Sequence, residues 1–306
     1  MKPRFRGLIA APFTPFNPDM SLNLDVVPLY ARLLRENGVG AAFICGTTGE
    51  GLSMTSRERM QVAEAWMKCA GDLRVIVHTG HNCLEEARDL TRHAAQIGAA
   101  AVSAMGPCFF RPRDQDELAD WCAPIAAEAP GLPFYYYHIP SMTGVAMKMA
   151  PLLGLAGARI PSFAGIKYTH EDLDDYEECV NHENGRFDIL FGRDELLMEG
   201  WARRALGAVG STYNYAAPLY IKLLKHVGAG ETSEARKLQD KAIRMIATCC
   251  DVGVTHFASS KSVMAMLGVD CGPARPPLRN IAPERAEELR HRLEQEDFFS
   301  TACAVS

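Results

Sequence analysis

No apolar stretch in the chain reaches the ~18–20 residues needed to cross a bilayer, so no membrane partner is expected. Long basic runs are missing too. Lys plus Arg number 32 against 37 Asp plus Glu, a net charge of −5. A mildly acidic chain argues against nucleic acid as the main partner, though not against a local pocket for an anionic substrate. None of the ten cysteines falls in a C-x-x-C pair. Their scatter through apolar segments fits buried thiols in a reducing cytoplasm. Internal repeats and low-complexity segments are absent. The apolar run from Gly7 to Phe13 contains Pro12 and leads into Thr14-Pro15-Phe16-Asn17-Pro18. It is too short and too broken for a secretory signal, and reads as a first strand entering a loop.

What is present suits one large domain, or one domain with an appendage. The chain has 306 residues, 48% hydrophobic and 23% charged, enough for a sizeable core without staples. Short β-type runs alternate with longer helical patterns. The runs are Gly7–Pro12, Ala41–Cys45, Arg74–Thr79, Ala100–Met105, Pro133–His138, Phe163–Tyr168, Asp188–Phe191 and Gly207–Ser211. Helical spacing falls between them, for example at Val26–Glu36, Ser56–Ala70, Cys83–Ile97, Glu117–Glu128 and Glu171–Val180. Most of the runs are apolar throughout, as in a parallel sheet covered by helices on both faces. This predicts an α/β fold, a (β/α)8 TIM barrel. A doubly wound open sheet is the rival, but the expected Gly-rich phosphate-binding turn does not follow the first run. Beyond Tyr213 the pattern becomes helical, at Leu219–Val227, Ser233–Ala247, Ser259–Leu267 and Ala282–Gln295. The barrel is therefore assigned to 1–228 and a C-terminal helical extension to 229–306.

In a barrel, chemistry gathers at the C-terminal ends of the strands. Lys167 ends the run Phe163-Ala164-Gly165-Ile166-Lys167. In a water-poor interior its amine would lose its charge and become a nucleophile toward carbonyl carbon; a lysine that snorkels to solvent is the alternative. Tyr137 closes a tyrosine-rich strand. Alternation sends Tyr135 and Tyr137 to one face and Tyr136 to the other. A phenol there relays protons, or merely packs. Gly46-Thr47-Thr48-Gly49-Glu50-Gly51 presents adjacent hydroxyls that would suit a carboxylate. The same turn also leads to a helix capped by Thr55-Ser56-Arg57-Glu58. His78 and His81 lack a third ligand nearby, so no metal is expected. The acidic run from Glu171 to Glu178 reads as a solvated helix start. Cys249-Cys250 reads as packing.

Taken in order, Gly46-Thr47-Thr48-Gly49-Glu50, Tyr137-His138-Ile139-Pro140 and Gly165-Ile166-Lys167 resemble the superfamily of Schiff-base aldolases that contains the N-acetylneuraminate lyases and the dihydrodipicolinate synthases. The resemblance implies a barrel with helical tail, usually a homotetramer, that uses neither metal nor organic cofactor. Met142 stands where the synthases carry a carboxylate-binding Arg. The segments 46–53, 135–145 and 207–215 are similar to the lyase branch. That branch implies reversible cleavage of N-acetylneuraminate to pyruvate and N-acetylmannosamine. By the same resemblance Lys167 forms the imine, Tyr137 relays protons, and Thr47 and Thr48 hold the carboxylate. Gly192, Asp194, Glu195, Gly210 and Ser211 meet the sugar hydroxyls, with Thr169 near the rim. Two departures stand out. Pro107-Cys108-Phe109-Phe110 has no phenol where many members donate a Tyr to a neighbouring subunit, and His138 replaces a common Asn. A related aldolase or hydro-lyase acting on another keto sugar acid, and a non-catalytic binding barrel, are the other readings.

Overall fold

The computed structural model describes residues 4–305. Eight strands close into one parallel barrel in sequence order. They are β1 (Gly7–Ala10), β2 (Ala41–Ile44), β3 (Arg74–His78), β4 (Ala101–Ala104), β5 (Phe134–His138), β6 (Phe163–Tyr168), β7 (Asp188–Phe191) and β8 (Gly207–Gly210). β1 pairs in parallel with β8, which closes the sheet and excludes an open doubly wound arrangement. The helices are α1 (Val27–Glu36), α2 (Ser56–Cys69), α3 (Leu84–Gln96), α4 (Gln115–Ala127), α5 (Pro140–Thr143), α6 (Ala150–Arg159), α7 (Leu173–Asn181), α8 (Leu197–Ala202), α9 (Tyr213–Gly228), α10 (Thr232–Cys250), α11 (His256–Met266) and α12 (Pro283–Gln295).

Two apolar layers explain why the strands read as unbroken apolar runs. Ile9, Phe43, Ile76, Ala101, Tyr135, Tyr137, Leu190 and Val209 fill the inside of the barrel. Alternate residues such as Phe134, Tyr136, Ile166 and Tyr168 join the layer between sheet and helices. The tyrosines of β5 divide as strand alternation requires. Helix starts follow local chemistry. Thr55 and Glu58 form a reciprocal capping box ahead of α2, and Asp114 and Asp172 cap α4 and α7.

One irregularity in the barrel positions the site. Phe134 pairs with Phe163, but the next residue, Tyr135, pairs with Gly165. The skipped residue, Ala164, breaks the alternation of β6. Phe163 and Ile166 both face the helices, and Lys167 turns inward beside Tyr137. Gly165 is obligatory here, because a Cβ would fall 1.8 Å from the carbonyl oxygen of Asp188 on the neighbouring strand.

The expected division at 228/229 falls between α9 and α10. The following helices nevertheless pack onto the barrel mouth. On α10, the Gln239 side chain donates to the Asp194 carbonyl and accepts from the Met198 N–H, both at 3.0 Å. Among the described residues no helix is long and apolar enough to cross a membrane.

Candidate active site

The C-terminal strand ends converge on a cavity of about 230 Å³. Lys167, Tyr137, Thr47, Thr48, Thr169, Gly192, Asp194, Glu195, Gly210 and Ser211 all line it. The ten residues given a catalytic or substrate-binding role by the resemblance are thus brought to one place.

Lys167 and Tyr137 are register partners on β6 and β5. The lysine is only 4% exposed, and its Nζ lies 3.9 Å from the ring centres of both Phe43 and Tyr137. Removal from water lowers its pKa to about 7, with Asp194 pulling weakly the other way. Burial pushes the Tyr137 phenol up to about 12, opposed by its hydrogen bond with Thr47. That contact joins the two hydroxyl oxygens at 3.2 Å. The phenol therefore stays protonated at neutral pH while a substantial share of the amine is free.

The threonine turn depends on two left-handed residues, Cys45 (φ 58°) and Glu50 (φ 52°). At Gly51 a Cβ would lie 1.9 Å from the Cys45 carbonyl oxygen, so only glycine closes the turn. Thr14, in the loop after β1, pins the turn by donating to the Gly49 carbonyl at 2.6 Å.

Across the cavity, Asp194 is buried and its pKa rises to about 6, chiefly through desolvation and then through the charge of Glu195. Its Oδ2 accepts from the Thr212 N–H at 3.0 Å and the Thr212 hydroxyl at 2.6 Å. Oδ1 has no hydrogen-bond partner among the described residues. The glycines make room for these groups: a Cβ at Gly210 would sit 2.0 Å from Asp194 Oδ1, and one at Gly192 would sit 2.1 Å from Thr169 Oγ1. Arg193 holds Glu195 at 3.5 Å and Glu171 at 2.9 Å.

His78 packs edge-on against Tyr137, with centroids 5.4 Å apart, and burial holds its pKa well below the usual histidine range. His81 Nδ1 accepts from the Cys83 N–H at 2.9 Å. Met142, 56% exposed, lines the cavity beside Ser141. Phe109 and Phe110 project into solvent at 79% and 84% exposure. Sequence reading missed the wall built by the tail, where Ile246, Cys250, His256 and Phe257 close the cavity. Their local spacing carries no signal of that contact, which arises from the docking of α10 and α11.

A closed parallel barrel with a desolvated lysine at the strand ends, a phenol beside it and a threonine hydroxyl bonded to that phenol has the layout of a barrel-enzyme site built around a nucleophilic lysine. Residues 4–296 match the Dihydrodipicolinate synthetase family, and the chain belongs to it. N-acetylneuraminate lyase of Gallus gallus is 40% identical over 302 residues, spanning 96% of this chain and 97% of that protein. The Homo sapiens N-acetylneuraminate lyase is 38% identical, with 98% and 95% covered. The solved Proteus mirabilis N-acetylneuraminate lyase superposes with a TM-score of 0.94 at 39% identity, covering 97% of this chain and all 100% of that one.

Proposed function

We propose that this chain is a Schiff-base aldolase, a carbon–carbon lyase that reversibly cleaves N-acetylneuraminate to pyruvate and N-acetylmannosamine. The observation that carries the reading is the Lys167 amine, buried at the end of β6 and lowered to about 7. Similarity to N-acetylneuraminate lyases over nearly the whole chain supports the choice of substrate.

The neutral Lys167 amine attacks the ketone carbon C2 of the open-chain sugar acid, and loss of water leaves a protonated imine. When the C3–C4 bond breaks, its electron pair flows into that cation and a neutral enamine forms instead of a carbanion. The proton on the C4 hydroxyl must leave as the C4 aldehyde forms. Tyr137 is not ionised, so it takes this proton while passing its own to the substrate carboxylate. Thr47 and Thr48 hold that carboxylate, which keeps C2 beside the amine. N-acetylmannosamine departs, the enamine is protonated at C3, and water releases pyruvate and the free lysine. Asp194, Glu195 and Ser211, set around the bare backbones of Gly192 and Gly210, accept hydrogen bonds from the sugar hydroxyls, with Thr169 at the rim. The imine is its own electron sink, so the chemistry calls on no metal or organic cofactor. A homotetramer in the cytoplasm belongs to the same reading, and all ten cysteines being free thiols supports a reducing setting.

Borohydride reduction in the presence of pyruvate tests the mechanism. Wild type is expected to gain a reduced pyruvyl adduct at Lys167, and Lys167→Ala is expected to gain none. An unmodified wild type overturns the imine. Pyruvate release across a panel of keto sugar acids tests the substrate, and turnover confined to acids other than sialic acids overturns that assignment alone.

A further inference from the structure

The cavity has two walls, one from the strand ends of the barrel and one from the helical tail. On the tail side, Ile246 and Cys250 come from α10 and His256 and Phe257 from the first turn of α11. The imidazole of His256 is the strongest hydrogen-bonding group among these four. Its Nε2 lies 3.4 Å from the Ser211 hydroxyl and 3.4 Å from the Ser260 hydroxyl. Both separations are long for hydrogen bonds, so the ring is committed to neither serine. Its Nδ1 is buried and has no hydrogen-bond partner among the described residues. Buried groups left this way are uncommon and call for a reason. Desolvation holds the imidazole below its ordinary pKa, so it is neutral, with one donor and one acceptor to offer.

The position of the ring says what it would meet. The charge of Asp194 is felt at the Lys167 amine, and the charge of Glu195, the next residue, is felt at His256. Ser211, just past the end of β8, bridges from the barrel side. Lys167 thus belongs to the barrel wall of the cavity and His256 to the tail wall, with Asp194, Glu195 and Ser211 also lining it. A keto acid joined to Lys167 and extended to the tail wall would meet His256.

We propose that His256 is a specificity-determining residue: with the Ser211 hydroxyl it binds the hydroxylated end of a long keto sugar acid, on the carbons farthest from the keto group. This rests on the imine reading, which sets the near end of the substrate at Lys167. The tail then measures chain length, while the barrel carries out the bond cleavage. Pyruvate, with three carbons, would not reach the histidine.

The condensation direction separates the two ends of the cavity, because pyruvate and N-acetylmannosamine enter as different molecules. For His256→Phe, the KM for N-acetylmannosamine is expected to rise roughly 5- to 20-fold, with the KM for pyruvate moving by less than about two-fold. His256→Asn, which keeps a donor and an acceptor, is expected to recover part of the loss. A parallel rise in both KM values, or no rise in either, overturns the proposal. Should wild type fail to condense the two compounds, the functional reading falls and this inference with it. An active wild type with indifferent variants removes this inference alone.

Discussion

Glu50 Oε1 and Lys261 Nζ meet at 2.8 Å with both side chains only 3% exposed. Glu50 stands in the threonine turn and Lys261 in α11, so the pair ties the tail to the turn. The carboxylate also accepts from the Arg275 N–H at 2.7 Å, and the Lys261 ammonium donates to the Pro273 carbonyl at 2.7 Å. Arg275 reaches Glu58 as well, and that contact holds the Glu58 carboxyl down to about 2.

Breaking a buried pair from one side strands the other charge. Lys261→Met is therefore expected to cost about 3–5 kcal/mol of stability, read by urea denaturation, and to raise the KM for pyruvate as the turn loosens. Lys261→Met combined with Glu50→Gln should cost less than Lys261→Met alone, since no unpaired charge remains. Equal losses in the single and double variants would show that the pair does not couple the tail to the turn.

The depressed Lys167 pKa of about 7 makes a kinetic and a thermodynamic prediction. Only the neutral amine attacks a ketone, so the rate of borohydride trapping with pyruvate should climb with pH through about 7 and then level off. Between about 7 and the ordinary 10.5, the unfolded chain binds a proton that the folded chain has released. The contribution of this residue to stability therefore improves as pH rises across that window and is poorest below it. Lys167→Met is accordingly expected to be more stable than wild type at pH 7 by on the order of a few kcal/mol, with the gain shrinking toward pH 10. A trapping profile rising only near 10 would mean that the amine is not desolvated.

Gly210 leaves space for one carboxylate oxygen of Asp194, 2.0 Å from where a Cβ would be. Gly210→Ala should push Asp194 aside and leave the buried Thr212 N–H and hydroxyl without their acceptor. The expected result is a loss of about 1–3 kcal/mol in stability and a fall in kcat/KM of roughly ten-fold or more. Wild-type values of both quantities would show that Asp194 is free to move without consequence.

Much of this was legible along the chain. Phe163–Tyr168 and Asp188–Phe191 coincide with the observed β6 and β7, because strands buried on both faces read as uninterrupted apolar runs. The capping box at Thr55 marked the start of α2 to the residue. Three helices between strands were not picked out. α6 carries Gly154 and Gly157 within a largely apolar segment, so no polar face marks its period, while α5 and α8 are too short to show one. α9 begins at Tyr213, ahead of the expected Leu219, with Ala216 non-helical and Pro218 inside it obscuring the pattern.

Residue order and type alone carried the alternation of buried strands and helices, the glycine-bounded threonines and the presence of a lysine near a strand end, because periodicity and turn chemistry are local; the pairing of β1 with β8 decided between a closed barrel and an open sheet. Tertiary structure decided which way that lysine points. Strict alternation counted from the inward-facing Ala164 would send Lys167 toward the helices, since side chains on a strand repeat every two residues. The register shift of β6 against β5, where Tyr135 pairs with Gly165 and Ala164 is skipped, reverses this and places the amine against Phe43 and Tyr137. His256 was likewise placed by the packing of α11 against α9 and α10, which brings its ring to the Ser211 hydroxyl just past β8, a contact between distant parts of the chain that no local pattern encodes.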